Sequence, residues 1–168
     1  KIFQALQLRF PIAADTEITM EANPETVTAE TVARWKEQTP INRISLGAQS
    51  FQAQHLATLE RLASRESVIQ ATDLLKQGGY HDFNLDLIVG IPGQTLEELV
   101  EDIRVALSLG PTHLSNYNLT LKPGHPLFSK LPDDEQGARC YIGARDFLEA
   151  SGFTQYEISN YSKPQHRC

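Results

Sequence analysis

The sequence predicts an α/β fold, a partial (β/α) barrel of parallel strands formed by residues 1–168 as a single domain. Three observations predict it. Strand-like and helix-like segments alternate along the chain. Each strand-like segment has one apolar and one polar side-chain face. One apolar segment, Phe83-Asn84-Leu85-Asp86-Leu87-Ile88-Val89, carries a carboxylate in its middle. Alternation implies right-handed βαβ units and a parallel sheet.

The elements follow in order. Residues 1–14 carry Ile2, Phe3, Leu6 and Phe10 at helical spacing and are expected to pack as a helix beside the first strand. Glu17-Ile18-Thr19-Met20-Glu21 is that strand, expected at the sheet edge, and Asn23-Pro24 stops it. A helix runs from about Thr28 to Gln38, with Val32 and Trp35 on one face. Arg43 to Gln49 is the second strand. Ser64 caps a helix that lines up Val68, Ala71, Thr72 and Leu75 and ends at Gly78-Gly79. The Asp86 strand comes third. Gly90-Ile91-Pro92-Gly93 reads as a tight strand-to-helix turn and lacks a phosphate-loop ending. Thr95-x-x-Glu98 is a capping box before Leu96, Leu99, Val100, Ile103, Ala106 and Leu107. Gly110-Pro111 ends that helix, and His113 to Thr120 is the fourth strand. Lys122 to Asp134, with three prolines, is the candidate mobile loop. Asp133 caps a last helix to Gly152, and Tyr156-Glu157-Ile158 is a further short strand.

Parity locates the polar face. Side chains alternate with period two along a strand. Thr19 and Glu21 oppose Ile18 and Met20. Ser45 and Gln49 oppose Ile44 and Leu46. Asn84 and Asp86 oppose Phe83, Leu85 and Leu87. Asn116, Asn118 and Thr120 are expected to oppose Tyr117 and Leu119. A closed barrel fills its interior with Val, Ile and Leu. Here the interior would hold Glu, Gln, Asp and Asn, which fits a partly open barrel around a large polar ligand. Such ligands bind at the carboxyl ends of the strands, where Glu21 and Gln49 sit.

Composition narrows the function classes. The chain is 40% hydrophobic and 21% charged, with a net charge of −6. That charge argues against non-specific nucleic-acid or anionic-membrane binding. The apolar runs are too short to span a membrane. Gln4, Gln7 and Arg9 interrupt any signal-peptide core. Two cysteines, Cys140 and Cys168, offer neither a disulfide framework nor metal-type spacing and suit a reducing, cytoplasmic setting. The chain begins at Lys1 and stops at Cys168, as a piece cut at both ends would. Five histidines show no metal spacing. Of these, His125 and His166 are expected in loops near the open end.

Three segments carry a resemblance: Ile18-Thr19-Met20-Glu21-Ala22-Asn23-Pro24, Arg43 to Phe51, and Asn84 to Thr95. In order and spacing they resemble the oxygen-independent coproporphyrinogen III oxidase family of radical S-adenosylmethionine (SAM) proteins. Leu119 to Pro126 and Tyr156 to Ser162 resemble its heme-chaperone branch more than its oxidase branch. The resemblance implies a protein of heme and porphyrin metabolism that binds heme, a 4Fe-4S cluster and SAM, and passes heme to an acceptor protein. With heme implied, His125 and His166 become candidate iron ligands, and the resemblance implies roles for other residues. Glu21 matches a position contacting the cluster-bound SAM. Gln49, Arg61 and Asp86 match positions holding a second SAM in the oxidase branch. Thr120 matches a further such position, where its residue type differs.

These types suit SAM. Carboxylates pair with its sulfonium and ammonium and accept from its ribose, and an arginine grips its carboxylate. The family's Cys-x3-Cys-x2-Cys motif is absent, so no catalytic residue and no metal ligand is assigned, and this chain alone is expected to be inactive. Two other readings stay open. One is oxidative decarboxylation of coproporphyrinogen III through a 5'-deoxyadenosyl radical. The other is an unrelated (β/α) nucleotide-binding domain.

Overall fold

A computed structural model describes residues 2–168, with side chains from Phe3 onward. The chain runs α1 (Ile2–Gln7), β1 (Thr19–Ala22), α2 (Ala29–Gln38), β2 (Arg43–Gln49), α3 (Ala53–Thr58), α4 (Arg65–Gln77), β3 (Phe83–Val89), α5 (Leu96–Ser108), β4 (His113–Asn118), α6 (Asp134–Ala150), β5 (Thr154–Gln155) and β6 (Asn160–Ser162). The sheet order is β1-β2-β3-β4-β6-β5. The first four strands are parallel, while β6 runs antiparallel to β4 and to β5. The sheet stays open, with β1 at one edge.

The helices start where the sequence places caps. Thr28, Ser64 and Thr95 each accept a backbone N–H three residues on, in reciprocal capping boxes, and Asp133 accepts from the N–H of Gln136. The amphipathic helices then cover one face of the sheet. Val32, Val68, Leu75, Leu99, Ile103 and Leu148 join Ile44, Leu46, Leu85, Leu87 and Leu114 in one core. Each fully buried side chain of this kind contributes about 1.5–3 kcal/mol. The opposite, polar face is left to build a site.

Four expectations need correction. In β4, Asp86 pairs with Ser115, Leu87 with Asn116 and Ile88 with Tyr117. Paired residues of parallel strands share a face, so His113, Ser115 and Tyr117 lie on the polar side, and Leu114 and Asn116 face the helices. The expected parity is shifted by one residue, which exchanges the two faces. The strand also ends at Asn118, so Thr120 has left the sheet. Second, residues 156–158 are a turn rather than a strand. The Glu157 carboxylate accepts from the Ser159 N–H (3.2 Å) and from Asn160 Nδ2 (2.9 Å), folding β5 back on β6. Third, the N-terminal helix covers only Ile2–Gln7. Phe3 packs against the core, Phe10 is exposed, and the side chain of Ile2 lies outside the described residues. Fourth, α3 was not foreseen.

Candidate functional site

The register aligns polar residues in two rows across the sheet. Glu21, Ser45, Asn84 and His113 pair in sequence across β1 to β4. One step toward the carboxyl ends, Gly47, Asp86 and Ser115 form the second row. Above these rows opens a cleft of about 350 Å³, lined by Glu21, Asn23, Ser45, Gly47, Gln49, Arg61 and Asp86.

Each cleft residue is held by local structure. Gln49 has φ +67°, a left-handed conformation that residues with side chains rarely adopt. The Ser50 N–H donates to the Ala48 carbonyl at 2.8 Å, which makes Gln49 the centre of a γ-turn. This turn breaks the β2–β3 register, so Gly47 pairs with Asp86 but Gln49 with Leu87. Arg61 arrives from the loop after α3, anchored by its N–H to the Leu56 carbonyl at 2.9 Å. Its Nη2 donates to Asn23 Oδ1 at 2.8 Å. Both heads lie over Gly47, where an added Cβ would sit 2.9 Å from Gln49 Nε2 and 3.4 Å from Arg61 Nη2. A side chain at position 47 would meet the movable ends of Gln49 and Arg61 and push them aside.

Asp86 is embedded in a hydrogen-bonded array. Asn84 Nδ2 donates to Asp86 Oδ1 and to Ser45 Oγ, each at 2.7 Å, and Ser45 Oγ donates to Asp86 Oδ2 at 3.1 Å. Burial pushes the Asp86 carboxyl above its usual range, and the bonds from Asn84, Ser45 and Ser115 pull the other way. Nearby Glu21 adds a like charge. His113 closes the array. Burial, then the positive charge of Arg43, lowers its pKa to about 4, so the ring is neutral at pH 7. Its Nδ1 lies 2.7 Å from Asn84 Oδ1, which can only accept, so Nδ1 carries the proton. Nε2 is then the acceptor for the Tyr156 hydroxyl, at 2.7 Å.

The fold thus brings Glu21, Gln49, Arg61 and Asp86 together. It does not bring Thr120, which is exposed and donates only to the Asn118 carbonyl at 3.4 Å. His125 lies on a separate cleft of about 250 Å³ with Leu59, Leu119, Leu121 and Leu127. Its Nδ1 accepts from the Leu127 N–H at 3.2 Å, which puts the ring proton on Nε2. His166 is not near the open end. It sits 3.4 Å from Asp82, which precedes β3, at the amino ends of the parallel strands. The antiparallel course of β6 carries it there.

Parity placed Ser45 and Asn84 on the polar face with Gln49 and Asp86, but no role was assigned to them; Asn23 and Gly47 were not linked to the site.

Two carboxylates, one guanidinium and one amide around an open cleft suit a ligand carrying both a cationic group and a carboxylate. That donor set fits SAM, and the bare Gly47 backbone gives the cleft its depth. An iron-sulfur cluster does not fit. Cys140 is buried in α6, and among the described residues no group of three His, Cys, Asp or Glu side chains is placed to hold a metal.

Comparison with known proteins gives a consistent picture. Residues 1–106 match the Radical SAM superfamily. The chain is 41% identical over 170 residues to the heme chaperone HemW of Escherichia coli (strain K12), covering 99% of this chain and 45% of that protein. It is 36% identical over 155 residues to the heme chaperone HemW of Bacillus subtilis (strain 168), covering 88% of this chain and 41% of that protein. The chain therefore spans less than half the length of these relatives. Its fold superposes on the coproporphyrinogen III oxidase HemN from Escherichia coli, a radical SAM enzyme, with a TM-score of 0.85 at 24% identity, over 98% of this chain and 39% of that one. The Elp3 protein of Methanocaldococcus infernus shares the fold at a TM-score of 0.67 and 20% identity, over 77% of this chain and 32% of that one.

Proposed function

Because this chain belongs to the radical SAM superfamily, we propose that its cleft holds SAM and that the protein containing it is a heme chaperone. The convergence of Glu21, Gln49, Arg61 and Asp86 on one polar cleft at the strand carboxyl ends carries the first part of this reading. Identity of 36–41% to heme chaperones from two bacteria supports the second.

The roles follow from chemistry. Arg61, steadied by Asn23, keeps donors free for a carboxylate. Asp86 and Glu21 offer negative charge to an ammonium or sulfonium and acceptors to ribose hydroxyls. Gln49 donates and accepts. The Ser45–Asn84–His113 array fixes Asp86 in advance, so little ordering cost falls on binding. Bound there, SAM supplies an electrophilic sulfonium centre. The cluster lies outside what these residues can hold, so no step through it is assigned to them. Heme is the cargo, passed to an acceptor protein.

The test uses the full-length protein, purified without oxygen and reconstituted with iron and sulfide. Heme titration followed by Soret absorbance is expected to saturate at a defined stoichiometry, and coproporphyrinogen III is expected to remain unconsumed with SAM and reductant. Turnover of coproporphyrinogen III without saturable heme binding would overturn the chaperone reading in favour of the oxidase.

A further inference from the structure

The left-handed turn at Gln49 is strained for a residue with a side chain, and such strain persists only where neighbours over-determine it. One neighbour does so from across the sheet. Asp102 lies on α5 among Leu99, Ile103 and Ala106, only 1% exposed. A carboxylate in that position is costly unless it is fully used. Both its oxygens are used, and both bind the residues just after Gln49. Oδ2 accepts from Ser50 Oγ at 2.5 Å, and Oδ1 accepts from the Phe51 N–H at 2.9 Å. Ser50 Oγ accepts in turn from the Gln52 N–H at 3.1 Å. Without Asp102, two buried donors lose their acceptor, and the chain after β2 is free to relax toward extended backbone. Relaxation would undo the γ-turn that sets where the Gln49 side chain leaves the backbone, and its amide would lose its place over Gly47.

We propose that Asp102 is a positioning residue: through Ser50 and Phe51 it holds Gln49 in the left-handed conformation that points its amide into the SAM cleft. The proposal rests on the SAM reading for its effect on ligand, but its effect on Gln49 stands alone. It also explains a carboxylate on the core-facing stripe of α5, which helix formation does not need.

The test is a double-mutant cycle in the full-length protein. SAM affinity is measured by equilibrium dialysis for wild type, Asp102→Asn, Gln49→Ala and the double variant, with Ser50→Ala as a second probe that cuts the link from the residue 50 side and keeps the Asp102 carboxylate. Crystal structures of Asp102→Asn and Ser50→Ala without ligand report the φ of residue 49. We expect Asp102→Asn to weaken SAM binding about tenfold, with no further loss once Gln49 is alanine. Residue 49 is expected to leave positive φ in at least one of the two variants. Equal weakening in both backgrounds would mean that Asp102 acts by general destabilisation and would overturn the proposal. So would unchanged affinity with residue 49 still left-handed in both structures. If wild type binds no SAM, the SAM reading fails, and the two structures alone decide for or against the positioning role.

Discussion

Replacing Asp86 by asparagine should make the protein more stable and worse at binding. The structure shows why the two effects part. Asp86 is mostly buried in a parallel sheet, and burial raises its pKa above the usual carboxylate range more than its hydrogen bonds lower it. A carboxyl group that binds its proton more tightly in the folded state contributes its stability at low pH. That contribution is lost as the pH rises through the raised folded value, so at pH 7 the ionised group is a net cost. Asparagine keeps the accepting oxygen that faces Asn84 Nδ2, and its amide turns toward Ser45 Oγ, which can accept instead of donate. The bonds survive while the desolvated charge and its repulsion from Glu21 disappear. A gain on the order of 1 kcal/mol follows, read as a rise in Tm. The gain should vanish below about pH 4, where both wild type and variant are neutral at this site. The same change removes a charge-assisted partner for SAM, worth about 1.5–3 kcal/mol, or roughly 10- to 140-fold in Kd. Differential scanning fluorimetry across pH and SAM titration of the full-length protein read both quantities. A variant that melts lower at pH 7, or binds SAM as wild type does, would refute this reasoning.

Three further outcomes follow from single residues. Asn116 is 2% exposed, and neither Nδ2 nor Oδ1 has a partner, so Asn116→Leu should raise stability by about 1–2 kcal/mol in urea unfolding; a loss would show that the amide is satisfied after all. Gly47→Ala should leave Tm within a few degrees yet weaken SAM binding about tenfold, because its Cβ displaces the heads of Gln49 and Arg61; unchanged affinity would remove those heads from the ligand contact. By NMR, His113 should stay neutral with its proton on Nδ1 and titrate near pH 4. Its folded pKa lies below the ordinary value, so its stabilising contribution is complete above about pH 6.5 and declines as pH falls toward 4. An imidazole titrating near 6.5 would contradict the buried array.

Much of the sheet was legible because β2 alternates from Ile44 to Gln49 and β3 from Phe83 to Leu87, with apolar residues facing the helices. That alternation put Gln49 and Asp86 on the side of Glu21 before any geometry was known. Arg61 was not reachable this way. It stands in a loop after the short α3, and only the family resemblance pointed to it. The fourth strand misled because Asn116 is a polar residue buried against helices without a partner, so polarity no longer marks the lumen there. The turn at Gln49 carries no glycine to announce its positive φ. Asp102 was hidden because one carboxylate inside an amphipathic helix barely disturbs the apolar period. Both are features that tertiary contacts impose on a local sequence that does not ask for them.

The central claim is that SAM lies in the cleft formed by Glu21, Gln49, Arg61 and Asp86. A crystal structure of the cluster-loaded full-length protein with SAM tests it most directly. The account predicts ligand density above Gly47, with SAM oxygens or nitrogens within hydrogen-bonding distance of Arg61, Gln49 and Asp86. SAM bound elsewhere, touching none of the four residues, would contradict it.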